Sequence, residues 1–211
     1  MYEAPLTRCS CHRSVTVDLL VATTNPGKFR EYTELLADLP ARLRSLADLE
    51  PASAEPPEDA DSFAENAIVK ARAYSRATDM PTVADDSGLE VTALGGAPGV
   101  RTKRFFGDGV VDEERNRRLL ERLRTAPDRS ARFVCVIALA WPDGRVETFE
   151  GVCPGRIAGA PAGANGFGYD PVFIADGYDR TMAELPSEVK NRISHRARAA
   201  AKLRARLASI L

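Results

Sequence analysis

The sequence predicts an α/β fold, because strand-like and helix-like segments alternate along it. Three observations carry this. A buried-strand run, Val17 to Ala22, passes through a polar loop into a helical pattern. A complete helix-start signal stands at Ser62-Phe63-Ala64-Glu65. Two longer apolar runs, Phe133 to Trp141 and Val146 to Val152, are joined by the turn formers Pro142-Asp143-Gly144-Arg145, which reads as a hairpin forming the long ribbon of a central sheet.

The bulk properties bound the class. The 211 residues are 44% hydrophobic and 28% charged with a net charge of -1, which suits a soluble globular protein of one large domain or two small lobes. A dedicated nucleic-acid binder carries a basic surplus, so this balance argues against one. There is no apolar run of membrane-spanning length and no charged-then-apolar leader, so the expected location is cytoplasmic, with no membrane partner. Cys135 and Cys153 read as small hydrophobes within strands. Cys9, Cys11 and His12 lie in an irregular stretch without a second ligand pair, and residues 1–16 are expected to be a disordered leader before a single domain, 17–211.

Taken in order, Thr23-Thr24-Asn25-Pro26-Gly27-Lys28 is the loop between the first strand and a helix expected from near Phe29. Strand, polar loop and helix together aim backbone donors at an anion, and Lys28 adds a full charge. It is not a P-loop, because one glycine precedes the lysine and Phe29 stands where a hydroxyl would meet magnesium. An ordinary strand-to-helix turn is the alternative. Ala47 to Ala60, rich in Pro, Ala and acids, reads as a flexible crossing between lobes, and it carries Glu58 and Asp59. In the helix after Ser62, the residues Phe63, Ala67, Ala71 and Tyr74 form the expected buried stripe, while Asn66 and Lys70 share a neighbouring face.

Asp85-Asp86-Ser87-Gly88 follows the apolar run Pro81 to Ala84, and Leu89 to Leu94 resumes strand character. Two readings are open. The four residues form a turn between strands, or they present carboxylates to a divalent cation that replaces their lost hydration. If the strand continues, the two aspartates point to opposite faces, so one enters the site and the other supports it. Gly95 to Gly99 forms a compact turn. Asp112 to Arg124 is a charged helix with Leu119, Leu120 and Leu123 as a narrow core stripe, its charges expected on the surface.

Gly166-Phe167-Gly168-Tyr169-Asp170 places two aromatic rings on a glycine-rich loop, where they either stack on a base or fold inward. Asp170 either accepts from a nucleotide or supports the loop. Ser194 caps the last helix, Arg196 to Leu211, which puts His195 and Arg196 in its first turn with Lys190 nearby. Cations there oppose the helix dipole unless something repays them.

With these blocks in place the chain resembles the inosine triphosphate pyrophosphatase family, the Ham1-like non-canonical purine nucleoside triphosphatases. The match lies in Ala22 to Lys28, in Ser62 to Ala67 with Lys70-Ala71, in Ala84 to Leu89, and in Gly166 to Pro171 with Ile193 to Arg196, all in family order. The resemblance implies two α/β lobes around a long mixed, twisted sheet with the active site in the cleft between them. It implies hydrolysis of ITP, dITP or XTP to the monophosphate and pyrophosphate with Mg²⁺, in a homodimer. It further implies that Asp86 is proton acceptor and metal ligand, Asp85 its catalytic support and Glu58 the second metal ligand. Thr23, Thr24, Asn25, Pro26, Gly27, Lys28, Lys70 and Ser87 would meet phosphates. Phe167, Gly168, Tyr169 and Asp170 would hold base and sugar, and Lys190, His195 and Arg196 would address the purine edge as cationic donors to a 6-oxo group.

Two departures stand out. Arg101-Thr102-Lys103-Arg104 is more basic than the Tyr-Ser-Ala-Arg pattern of the family, which bears on substrate breadth or the lobe surface, and Pro26 replaces a more flexible residue. Two rival functions are a nucleotide sensor that binds without turnover and a nucleic-acid binder stacking bases on Phe167 and Tyr169. Retention of Asp85, Asp86, Glu58, Lys28 and Lys70 together weighs against the first, and the charge balance against the second.

Overall fold

A computed structural model describes residues 17–49 and 56–210. The expected leader, including Cys9, Cys11 and His12, lies outside the described residues, as does part of the expected crossing. Strand β1 (Val17–Val21) leads into helix α1 (Pro26–Leu35), and β2 (Ala41–Ser45) follows. Helix α2 (Phe63–Thr78) precedes β3 (Thr82–Val91), and α3 (Asp112–Arg122) precedes the ribbon β4 (Ser130–Ala140) and β5 (Val146–Ile157). The short strand β6 (Phe173–Ala175) and helices α4 (Ser187–Ile193) and α5 (His195–Ala208) complete the chain.

The six strands form one mixed sheet in the order β2-β1-β3-β4-β5-β6. β1 pairs parallel with β2 and β3, and every pairing from β3 to β6 is antiparallel. Strand alternation sends Leu19, Val21, Val83, Cys135, Ile137 and Leu139 to one face, where Tyr32 of α1 and Ala199, Leu203 and Leu207 of α5 cover them. Leu20, Ala22, Ala84, Ala138 and Ala140 face the other way onto Ala67, Ala71 and Tyr74 of α2. Further along the ribbon, Leu89, Val91, Phe133, Cys153 and Ile157 join Leu119 and Leu123 of α3 and Phe173 in a separate apolar cluster. Among the described residues no helix is long and apolar enough to cross a membrane.

Local chemistry explains most boundaries. Ser62 Oγ accepts the Glu65 amide at 3.2 Å and Ser194 Oγ the Ala197 amide at 3.1 Å, so both expected caps start their helices. α1 begins three residues before the expected Phe29, because Asn25 Oδ1 accepts from Gly27 and Lys28 at 2.8 and 3.1 Å while Pro26 takes the first helical position, where no amide is required.

Asp85 to Gly88 is not a turn. β3 runs unbroken from Thr82 to Val91, each residue paired with β4, and only 92–94, expected as strand, leave it in a short 3₁₀ turn. Gly88 is needed there, since a Cβ would lie 2.3 Å from the Gly99 carbonyl oxygen. β5 likewise extends five residues past the expected Val152. β2 and β6, which the sequence reading does not include, are a half-exposed edge strand and a three-residue strand.

Candidate active site

Asp85 and Asp86 sit midway along β3, between the apolar cluster holding Val83 and the one holding Leu89. Their side chains leave opposite faces. Asp85 is buried against α1 and α5, with Oδ2 3.0 Å from Lys28 Nζ and 3.1 Å from Arg196 Nη2. Burial alone would raise its pKa. The charges of Lys28, Arg196 and Lys70 overcome that and hold the carboxyl well below the usual carboxylate range.

Asp86 faces α2. Asn66 Nδ2 donates to its Oδ2 at 2.9 Å and the Ser87 amide to its Oδ1 at 2.9 Å. Its pKa is raised, chiefly by burial, with the negative charge of Glu58 adding to the effect against the lowering by Asn66, Lys28 and Lys70. Lys70 bonds Glu58 and reaches the Asp85 carbonyl at 3.3 Å, so it is a buried partner rather than a solvated lysine. Burial by itself would lower the Lys70 pKa, but Glu58 raises it. Arg104 Nη2 donates to the Glu58 carbonyl at 2.6 Å, tying the acidic loop across the cleft. Thr23, Thr24, Asn25, Lys28, Glu58, Lys70, Asp86 and Ser87 all line this one cleft. Pro26 and Gly27 line an adjoining surface hollow that shares Thr24, Asn25, Lys103, Asp112 and Phe167 with the cleft. The first-turn amides of α1 are taken by Asn25, so this loop offers an anion Lys28 and its threonine hydroxyls rather than a bare helix N-terminus.

The other end of the cleft holds Phe167, Gly168, Tyr169, Asp170, Lys190, His195 and Arg196. The two rings part company. Phe167 is half-buried, its ring 4.9 Å from Lys190 Nζ, whereas Tyr169 folds into the core with its hydroxyl 3.4 Å from the Thr102 carbonyl. Asp170 supports the loop by accepting the Phe167 amide at 2.9 Å and pairing with Lys190 at 2.5 Å. Lys190 also meets Glu31 at 2.8 Å, and Arg196 meets Glu31 at 2.5 Å and Ser87 Oγ at 3.0 Å. An alternating chain of charge therefore runs from Asp170 through Lys190, Glu31, Arg196 and Asp85 to Lys28. The dipole cost expected for Arg196 is repaid by these acids. His195, stacked on Phe133 at 4.7 Å, has its pKa held well below 6.5 by burial and by Arg196 and Lys190, so it is neutral rather than cationic.

Several contributors lie outside the sequence expectation. Glu31 is buried in the charge chain. In α3, expected to carry solvated charges, Arg115 and Asn116 are buried. Asp112 Oδ2 accepts the Gly168 amide at 2.7 Å and Asn116 Nδ2 donates to the Gly168 carbonyl at 3.0 Å, so α3 holds both sides of that residue in the aromatic loop. The only signal for them was polarity at helical spacing beside the Leu119 stripe.

Residues 19–206 match the model of the Ham1 family. The chain belongs to the Ham1 family. It is 46% identical over 193 residues to the dITP/XTP pyrophosphatase of Desulfotalea psychrophila, covering 92% of this chain and 86% of that one. Identity to a dITP/XTP pyrophosphatase of Thermus thermophilus is 49% over 183 residues, 86% of this chain and 87% of the relative. Among solved structures, a HAM1 protein from Coxiella burnetii superposes with a TM-score of 0.83 at 41% identity, covering 92% of this chain and all of that one. A nucleoside-triphosphatase described as a dITP/XTP pyrophosphatase from Mycobacterium abscessus gives 0.72 at 44% identity, covering 89% and 98%. The α/β architecture around a mixed sheet is thus that of Ham1 proteins.

Among the described residues no group of three or more His, Cys, Asp or Glu side chains is placed to hold a metal. Asp86 and Glu58 nevertheless face one cleft, and the carboxyl of Asp86 is pushed up by burial and by its acidic neighbour. One or two carboxylates completed by substrate phosphates and water is the usual coordination of Mg²⁺, so the donor set fits.

Proposed function

We propose that the protein hydrolyses non-canonical purine nucleoside triphosphates, dITP, ITP and XTP, to the monophosphate and pyrophosphate. The observation that carries the reading is one continuous cleft with Asp86, Glu58, Lys28 and Lys70 at one end and Phe167 with neutral His195 at the other. The names of the relatives support the same substrate class.

Asp86 is placed to take the proton of the attacking water, and Asn66 and the Ser87 amide fix its orientation. Asp85 holds Lys28 toward the tail, and Lys28 and Lys70 oppose charge growing on the leaving pyrophosphate. Asp86 and Glu58 would hold Mg²⁺, which supplies neutralisation of phosphate charge when bound. The Phe167 ring covers the base. His195 Nδ1 and Arg196 Nε are buried polar atoms of that end without a protein partner. A 6-oxo oxygen brought against them would accept from either, whereas the 6-amino group of adenine would leave them unpaired, a penalty that favours inosine and xanthine. Of the three cationic donors expected, only Arg196 keeps that role here, because His195 is neutral and the ammonium of Lys190 is already held by two acids. The working form proposed from the resemblance is a homodimer, which sedimentation equilibrium reads directly.

A substrate panel tests the function. Purified protein with Mg²⁺ is expected to release pyrophosphate, not orthophosphate, from dITP and XTP at least about 100-fold more efficiently than from dATP. Orthophosphate as the product, or equal rates on all purines, would contradict the proposal. Tight dITP binding without turnover would favour a sensor.

A further inference from the structure

Among the described residues six cationic side chains line the catalytic cleft, and five of them are committed to acids. Lys28 is held by Asp85, Lys70 by Glu58, Arg115 by Asp112, and Lys190 and Arg196 by Glu31. Lys103 is the sixth. Among the described residues its ammonium has no hydrogen bond and no ion pair.

Its backbone is fixed instead. Arg115 Nη2 donates to the Lys103 carbonyl at 3.0 Å, and the neighbouring Thr102 Oγ1 accepts the Leu89 amide at 2.9 Å. On the other side Arg104 grips the Glu58 carbonyl. A free ammonium is therefore presented from an anchored loop, so little backbone ordering opposes its use. Lys103 lines the cleft with Lys70 and Asp86, and it also lines the adjoining hollow with Thr24, Asn25 and Gly27. At that end Lys28 and Lys70 stand against Asp86 and Glu58 in the lining and Asp85 behind Lys28, with Arg30 farther out beside Gly27, so a further free ammonium adds positive charge where a polyanion would lie.

We propose that Lys103 binds the outer phosphates of the substrate's triphosphate tail, adding a charge where the family pattern expected from sequence has alanine. The inference rests on the triphosphate reading above and names a contact beyond it. A charge-assisted hydrogen bond to phosphate is stronger than a neutral one, and its loss falls on binding.

The test compares wild type, Lys103→Ala and Lys103→Arg with dITP at saturating Mg²⁺. The alanine variant is expected to raise KM about tenfold with kcat within about twofold, and arginine to restore most of the loss. Inhibition by pyrophosphate should weaken with it, while inhibition by deoxyinosine monophosphate stays unchanged. Unchanged KM and pyrophosphate inhibition, beside a wild type that turns over dITP, would overturn the role of Lys103 and leave the proposed function standing. Equal weakening for pyrophosphate and monophosphate would overturn the assignment to the outer phosphates. A wild type that releases no pyrophosphate would instead overturn the function on which the inference rests.

Discussion

Arg196 is buried with its guanidinium between Glu31 and Asp85, and Lys190 lies on the other side of Glu31. Removing one member of a buried ionic network leaves the others uncompensated, at a cost of about 3–5 kcal/mol. Glu31→Gln is therefore expected to lower Tm by about 10 °C in thermal unfolding, and an unchanged Tm would show that the chain of charge is not structural. His195 gives a pH signature. Its folded pKa lies well below 6.5, so as pH falls through 6.5 the unfolded chain takes up a proton that the folded protein does not. Stability then drops with falling pH, by up to about 1.4 kcal/mol per unit, and His195→Phe is expected to remove that increment. Urea titrations between pH 7 and 5 measure it. Identical slopes in the two proteins would contradict the account. Neither Glu31 nor the neutrality of His195 was legible in sequence, because an acidic residue in a first helix and a histidine at a cap carry no mark of burial.

At the scale of elements, α3 and the aromatic loop act on each other through Gly168, whose amide and carbonyl are taken by Asp112 and Asn116. Asn116→Ala should loosen the Phe167 ring and raise KM for dITP by about fivefold, with a smaller change in kcat, as steady-state kinetics will show. A change confined to kcat would argue that the loop is held some other way. α5 needs a similarly close seat on β5, where a Cβ at Gly151 would fall 2.1 Å from the His195 carbonyl oxygen. Gly151→Ala is expected to cost about 1–3 kcal/mol by chemical denaturation, and a neutral result would mean that the helix shifts freely. Elements whose ends are written in side-chain chemistry were legible, as at Ser62, Ser194 and the Pro142 to Arg145 hairpin. Those defined by tertiary pairing were not. The Ala-Arg-Leu-Arg-Ser strand β2 is half-exposed and lacks a long apolar run, and β6 has three residues, so only their partners β1 and β5 identify them.

Across the whole molecule, one continuous sheet carries separate apolar clusters, and the polar stretch Asp85 to Ser87 lies where they part. A break in hydrophobic pattern within an unbroken strand is what a cleft across a sheet requires. From sequence the same residues read equally as a turn, because only the pairing with β4 decides between them. The site blocks were legible as types and order, whereas the wiring between them was not. That wiring connects the base end to the phosphate end without passing through Asp86, whose side chain, among the described residues, hydrogen-bonds only Asn66 and the Ser87 amide. Asp86 can thus be changed with little effect on the fold. The decisive measurement is pyrophosphate release from dITP by Asp86→Asn, alongside its Tm and dITP binding. Turnover is expected to fall by about 100-fold or more while Tm holds, with dITP binding in Mg²⁺ weakened because a neutral amide is a poorer ligand for the cation. Turnover close to wild type would contradict the assignment of the chemistry to this carboxylate.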